Sequence, residues 1–462
     1  GPGGYAAAFM AADLGKDVTL VDLDENPGGT CLYRGCIPSK ALLHAANILN
    51  DAREAGQWGI HFKEPTIKID ELRSATEGVV KQLTGGLGQL SKARKIRYLQ
   101  GRASFLSSSQ IRVHLKSGDT EHVSFKDAIL ATGSRPATLP HLLIESDRVM
   151  NSTDALELPD VPKRLLVIGG GYIGLELGSV YAALGSKVTV VDFAPTILPG
   201  ADKDLIKPLA KRMNEICEAV HTDTSVEWLE VKGDTVVAKL KGESVKEKTL
   251  TFDRVLISVG RKPNSSGVGL DATKVKVDDK GFIKVDKQMR TDDPHIFAIG
   301  DLVGHPMLAP KATHEGILAA EVIAGHTKRV WDKRCIPAVV FTEPEIAWVG
   351  LMEQEAKDVG REVKVARYPW TALSRATTIK KNEGVTKVVV DAETEQVIGV
   401  GICGAGAGEL IAEAALAIEM GATAEDIALT VHPHPTLTEG VLEAAELIYG
   451  RTTHMYRPQQ NK

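Results

Sequence analysis

Two stretches of this chain, Gly1 to Asp22 (GPGGYAAAFMAADLGKDVTLVD) and Gly171 to Asp192 (GYIGLELGSVYAALGSKVTVVD), match position by position. Each starts in a glycine turn, runs through a helix-length segment with small residues along one face, passes Leu-Gly and ends in Val-Thr-(Leu/Val)-Val-Asp. A pattern of turn, helix and apolar β-branched strand, written twice, requires two units in which helices cover parallel sheets.

The second copy is complete. Arg164 to Ile168 (RLLVI) reads as a buried parallel strand, and Gly169-Gly170-Gly171-Tyr172-Ile173-Gly174 fits G-x-G-x-x-G. Gly169 permits the tight turn, Gly171 lets a pyrophosphate approach the backbone, and Gly174 lets the helix pack on the strand. The unpaired N–H groups of the helix N-terminus then face the phosphates. Asp192, at the end of the next strand, is expected to accept hydrogen bonds from a ribose. No Arg follows it in Phe193-Ala194-Pro195, so a 2′-phosphate would meet only a carboxylate, and NAD is favoured over NADP. The first copy opens inside the fingerprint, with Gly1 at the position of Gly171, so a preceding strand and first glycine are expected in a longer protein.

With 462 residues the chain has room for roughly three domains, or four if some are small. Its hydrophobic and charged fractions, 43% and 25%, are those of globular proteins. The net charge of −5 and the lack of any Lys/Arg block argue against nucleic acid or anionic membrane as partners. No stretch reaches the ~18 unbroken apolar residues of a membrane span, and the small-residue run Ala6 to Ala12 lacks the basic flank of a signal peptide.

Of five cysteines, Cys217, Cys335 and Cys403 read as solitary core thiols; Cys31 and Cys36 stand together in GGTCLYRGCIPSK, before an apolar helical run. A C-x4-C pair at a helix start can close a small disulfide loop, and the helix N-terminus favours the thiolate that exchange requires. Two reduced core cysteines are the alternative. A zinc site needs two further ligands at similar spacing, and none is found. The neighbouring nucleotide unit favours a redox-active dithiol.

Near the C-terminus stands Val431-His432-Pro433-His434-Pro435-Thr436-Leu437-Thr438-Glu439. Pro435 suits a first helical turn and would leave His434 just outside it, while Glu439 is placed to hold the imidazole in one tautomer. The alternative is a capping histidine beside an ordinary surface carboxylate.

GGTCLYRGCIPSK resembles the active-site segment of the pyridine nucleotide-disulfide oxidoreductases, flavoproteins that pass electrons between NAD(P) and a disulfide. The resemblance continues through Ala131-Thr132-Gly133-Ser134, Gly260-Arg261-Lys262-Pro263-Asn264 and Ile296-Phe297-Ala298-Ile299-Gly300-Asp301. It implies an α/β fold class: two Rossmann-like dinucleotide-binding domains, for FAD and NAD, and a C-terminal α+β dimerisation domain. The expected boundaries are residues 1–140 for FAD, 141–262 for NAD, 263–335 for a central segment completing the FAD site, and 336–462 for the interface domain.

For FAD the resemblance implies contacts from Gly1, Gly3, Gly4, Asp22, Gly29, Thr30, Lys40, Ala103, Thr132, Gly133, Gly300, Asp301 and Ala309. For NAD it implies Gly169, Gly171, Tyr172, Ile173, Gly174, Glu176, Asp192, Val226 and Gly260. It further makes Cys31 and Cys36 the redox disulfide with Cys36 against the flavin, Lys40 and Glu176 an ion pair beside it, His434 the acid–base and Glu439 its partner. No metal is implied.

Within the family, His-x-His-Pro-Thr-x-x-Glu is similar to the members that oxidise protein-bound dihydrolipoamide with NAD⁺. Thr342 to Gly350, Pro306 to Ala309 and Ala417 to Gly421 strengthen that match. Glutathione-type reductases place basic residues after the second acidic position, mercuric reductases carry a C-terminal cysteine pair that Gly450 to Lys462 lacks, and soluble transhydrogenases lack the dithiol. The resemblance therefore implies a cytoplasmic homodimer, or one in an organelle matrix. Its expected partner is a lipoyl-bearing acyltransferase subunit of a 2-oxo acid dehydrogenase complex. The alternatives are a reductase of another small disulfide and a non-catalytic flavin-binding subunit. Asp22 and Asp192 stand where the family more often has Glu, and Pro310 where His is frequent.

Overall fold

The apolar run Arg164–Ile168 is the central strand of a five-stranded, all-parallel sheet in the computed structural model, which describes residues 1–243 and 245–455. Lys187–Val191 and Arg254–Ile257 flank it, and Ala219–His221 and Val149–Met150 form the edges. Leu165, Leu166 and Val167 are fully buried, as a parallel strand covered on both faces requires. Leu165 and Val167 join the core containing Leu175, Leu177, Val180 and Tyr181 of the helix Tyr172–Leu184. Leu166 and Ile168 pack with Val226, Val236 and Phe252 of an antiparallel meander, Ser225–Lys232, Thr235–Lys241 and Thr249–Phe252.

In the first repeat, the helix Pro2–Asp13 leads to Thr19–Asp22, which pairs in parallel with Arg97–Ser107. That strand continues the sheet through Gln110–Leu115 and Thr120–Ser124. The small-residue face of the helix, Gly3, Ala7, Ala8 and Ala11, is buried, and the helix lies against Ala309–Ile323 at backbone distance. A Cβ on Gly3 would stand 2.9 Å from the Ala312 carbonyl oxygen, and one on Gly316 would run into the Gly3 carbonyl. Small residues are needed here because two main chains, not two side-chain layers, are in contact. The parallel pair Ala128–Leu130 and Ile296–Ala298 then sets the turns at Ala131–Ser134 and Ile299–Asp301 side by side.

From Ala338 onward the chain forms a five-stranded antiparallel sheet, in the order Ala338–Val340, Glu345–Gly350, Val397–Gly404, Val385–Asp391, Val363–Pro369. Helices Ala407–Met420 and Glu439–Ile448 cover it through Ile411, Ala414, Val441 and Ala444. Trp370 is fully buried, donates Nε1–H to Thr386 Oγ1 at 3.0 Å, and fills the space a side chain at Gly404 would need.

This sheet also packs on the helix Lys203–Ile216. The seam holds Lys387, whose ammonium is buried within 2.6 Å of Asp202, 2.8 Å of Asp204 and 2.7 Å of Glu353. Such a lysine is tolerated only because three carboxylates replace its water. No helix among the described residues is long and apolar enough to cross a membrane.

Candidate active site

The two cysteines lie on different helices. Cys31 belongs to Gly29–Arg34 and Cys36 is the first residue of Cys36–Glu54, the chain turning at Gly35. A Cβ on Gly35 would come within 2.9 Å of the Thr30 carbonyl, so the tight turn that doubles the second thiol back over the first requires glycine. Cys36 is exposed and Cys31 half-buried.

A hydrogen bond from Cys31, reinforced by Lys40 and by the backbone N–H at the helix start, outweighs burial and brings the Cys36 thiol down to about 7. The same hydrogen bond, with burial, pushes Cys31 up. Of the two sulfurs, Cys36 is thus the one that carries charge near neutrality.

One turn beyond Cys36, Lys40 Nζ donates to both oxygens of Glu176, at 3.0 and 2.8 Å. Glu176 is buried in the second glycine helix, and its Oε1 also accepts from the Phe341 backbone N–H at 3.0 Å. The Phe341 ring lies under the ammonium, 4.5 Å from Nζ. Three segments from three parts of the chain therefore converge behind the dithiol.

Around Asp301 the turns interlock. Ser134 donates its hydroxyl to Asp301 Oδ2, Arg261 donates to Ser134 Oγ and O at 2.7 and 2.8 Å, and Thr132 and Asn264 exchange side-chain to main-chain hydrogen bonds at 2.8 and 3.0 Å. Gly300 N–H donates to Glu315 Oε2 at 2.7 Å, and Lys311, next to Pro310, is buried against Glu315 at 2.7 Å. Burial drives the Glu315 carboxyl upward against the opposing pull of Lys311.

Asp301 Oδ1 receives no hydrogen bond from the described residues, and Gly133, at φ +67°, has open space where a side chain would stand. Gly1 abuts Gly29. Asp22 ends its strand, while Thr30 and Ala309 lie in the first turns of their helices and Ala103 lies mid-strand. An open glycine rim and a carboxylate with a spare oxygen fit an FAD ribitol and pyrophosphate.

The second glycine turn fits a dinucleotide equally. Gly169, at φ +109°, would press a Cβ to 2.5 Å from the Ser258 carbonyl, whereas nothing stands within 4 Å of the Cβ position at Gly171. The crowded glycine shapes the turn and the open one leaves room for phosphate. Tyr172 and Ile173 begin the helix beside it, and Gly260 is open at φ +115°. Val226 is buried in the meander.

Asp192 differs from the expectation of a carboxylate free for ribose. It is buried, with Oδ2 accepting from Gly170 N–H at 2.5 Å and Oδ1 from Ala194 N–H at 2.7 Å. One methylene shorter than Glu, it braces the turn itself.

The C-terminal motif also departs from expectation. Its helix begins at Glu439, not near Pro435, because the Glu439 carboxylate accepts the Thr436 N–H at 2.8 Å and a turn closes from Thr436 Oγ1 to the Pro433 carbonyl. His434, its side chain 61% exposed, donates from Nδ1 to Glu439 Oε1 at 2.8 Å. Burial alone would raise the Glu439 carboxyl, but the Thr436 N–H and the imidazole hold it below its ordinary value.

No hydrogen bond or ion pair among the described residues links this pair to the dithiol of the same chain. In the same domain Leu416, Met420, Leu429 and Val431 are exposed, Val431 at 95%, apolar side chains of the kind a partner would cover. Local pattern gave no sign of Phe341, Glu315 or the Ser134–Arg261 link as site residues, since each joins only through the packing of distant segments.

These features define a disulfide oxidoreductase that carries two dinucleotides. Residues 1–316 match the pyridine nucleotide-disulphide oxidoreductase family and residues 336–445 its dimerisation domain. The chain belongs to that family: it is a flavoprotein oxidoreductase with FAD and NAD as cofactors, and it forms a homodimer.

It is 48% identical to the dihydrolipoyl dehydrogenase of Haemophilus influenzae over 98% of this chain and 95% of that one. To the dihydrolipoyl dehydrogenase of Geobacillus stearothermophilus it is 46% identical over 98% and 96%. Among solved structures, LpdA of Mycobacterium tuberculosis superposes with a TM-score of 0.90 at 25% identity, covering 97% of this chain and 98% of that one. The HOCl-induced flavoprotein disulfide reductase RclA of Escherichia coli follows with 0.86 at 26%, over 97% and 98%.

Proposed function

We propose that the chain oxidises a dihydrolipoyl dithiol carried by an acyltransferase subunit of a 2-oxo acid dehydrogenase complex, with NAD⁺ as acceptor. Each site takes Cys31 and Cys36 from one subunit and His434 and Glu439 from the other. The observation that carries this reading is the pairing of a low-pKa Cys36 with an exposed, carboxylate-held His434 in a dimerisation domain that exposes apolar side chains.

The chemistry follows from the side chains. With its Nδ1–H committed to Glu439, His434 presents Nε2 as a base and takes the proton of one substrate thiol. The thiolate attacks Cys31 of the Cys31–Cys36 disulfide, and Cys36 departs as thiolate because the sulfur of lower pKa leaves faster. His434 passes that proton to Cys31 as the second substrate thiol displaces it and takes up the proton of the second thiol in exchange, leaving Cys31 as thiol, Cys36 as thiolate and the imidazole protonated. The substrate becomes a cyclic disulfide, and two electrons rest on the enzyme's sulfurs.

FAD, held by the Asp301 and Gly133 turns, and NAD, held by the Gly169–Gly174 turn, supply when bound the two-electron relay from these sulfurs. Lys40 favours the charged form of Cys36, and Glu176, fixed by Phe341, holds Lys40 in place.

Assays with dihydrolipoamide plus NAD⁺ and with glutathione disulfide plus NADPH test the reading. Turnover is expected with the first pair only; the reverse result overturns it.

A further inference from the structure

The arch that joins helix Ala424–Leu429 to helix Glu439–Ile448 carries His434, and two side chains at its feet reach one carboxylate. His432 Nε2 lies 2.7 Å from Glu413 Oε1, and Thr438 donates its hydroxyl to Glu413 Oε2 at 2.5 Å. Glu413 belongs to the helix Ala407–Met420, whose Ile411, Ala414 and Ile418 are buried in the C-terminal core, so it is anchored to the body of the domain.

His432 is gripped on its other side too. Its Nδ1 stands 2.7 Å from the Thr430 carbonyl, and since carbonyl and carboxylate oxygens only accept, the ring donates from both nitrogens and bridges main chain and carboxylate. The His432 side chain is 4% exposed, between the exposed Val431 and His434.

Proton transfer requires donor and acceptor within hydrogen-bond reach, and a displacement of about 1 Å can cost up to about 100-fold in rate. The arch has no helical or strand hydrogen bonds of its own between Val431 and Leu437. The contacts of His434 and Thr436 close on Pro433 and Glu439, within the arch and the first residue of its helix. The two bonds to Glu413 are the side-chain hydrogen bonds that tie it to a neighbouring helix, one foot two residues before His434 and the other one residue before Glu439.

We infer that Glu413, His432 and Thr438 form a clasp that positions the His434–Glu439 pair for proton exchange with the substrate thiol. The inference rests on the acid–base reading of His434. It makes Glu413 a positioning residue, acting through its two partners and touching no reacting atom.

The test compares E413A, E413Q, H432Q and T438V with H434Q in the FAD-loaded dimer. For E413A we expect kcat for dihydrolipoamide oxidation to fall about 10-fold or more. KM for NAD⁺, retention of the dimer, and NADH-dependent reduction of an artificial acceptor, which bypasses the dithiol substrate, should not change. E413Q should recover most of the loss, because an amide can accept from Thr438 while donating to the imidazole.

Wild-type kcat in E413A, H432Q and T438V alongside an inactive H434Q overturns the clasp alone. Equal loss of the artificial-acceptor activity also overturns it, since the role would then be structural. Wild-type turnover by H434Q instead overturns the acid–base reading beneath it. If E413A does not yield a folded dimer, H432Q and T438V carry the same comparison.

Discussion

Lys40 and Glu176 lie 136 residues apart in the chain and meet as a two-pronged ion pair, with the carboxylate buried and capped by the Phe341 N–H. The pair couples the helix that starts at Cys36 to the helix that starts at the second glycine turn. Any movement between the two nucleotide units is therefore felt one turn from the reactive sulfur.

Replacing Lys40 by Met should raise the pH at which Cys36 becomes thiolate above about 7, since the ammonium is one of the groups that lower it. A thiolate absorbance titration or the pH dependence of alkylation reads the shift, and an unmoved titration contradicts it. K40M also leaves Glu176 buried without its cation. Thermal unfolding should show K40M less stable than the K40M/E176Q double variant, by about 1–3 kcal/mol after allowance for the partial exposure of Lys40.

Substituting Glu439 by Gln should lower kcat by about 10-fold or more with little change in KM for NAD⁺, because the amide no longer supports an imidazolium. The folded-state pKa of Glu439 is depressed, so its contribution to stability is present above the unfolded carboxyl value of about 4.3 and fades as pH falls toward the folded one. The stability gap between wild type and E439Q should accordingly close on acidification. A gap that widens below pH ~4 would contradict this.

A dimer with one C31S subunit and one H434Q subunit has one doubly defective site and one intact site if the two residues act across the interface. Two inactive homodimers, mixed under conditions that exchange subunits, should regain turnover at half of the sites in each heterodimer. Continued inactivity with exchange demonstrated by mass would place both residues in one chain.

Lys387→Met should leave Asp202, Asp204 and Glu353 facing one another across the seam between sheet and helix. A loss of about 3–5 kcal/mol is expected, read by thermal or denaturant unfolding. Burial works against it, but Lys357 and Lys387 still hold Glu353 down to about 2. The seam's stabilisation is therefore complete above the unfolded carboxylate range and is lost as pH falls from about 4.3 toward 2. A pH-independent difference between wild type and K387M across that window would sink the assignment.

What could be read along the chain was whatever depends on neighbours in sequence. Glycine turns at Gly169–Gly174, the small face of Pro2–Asp13, the β-branched strands and the dithiol beside a helix start are local chemistry, and their periodicities survive without knowledge of packing. The helix starts at Glu439 and not near Pro435, because the local rule that Pro435 satisfies is overridden by the Glu439 carboxylate bonded back to Thr436.

The tertiary structure decided which distant groups meet. The Phe341 cap on Glu176, the burial of Lys387 among three acids, and the convergence of His432 and Thr438 on Glu413 all cross domain or helix seams, and the bracing of the glycine turn by Asp192 joins the ends of two neighbouring strands. Such contacts follow from how whole surfaces pack, and surface packing has no period in the sequence from which it could be foretold.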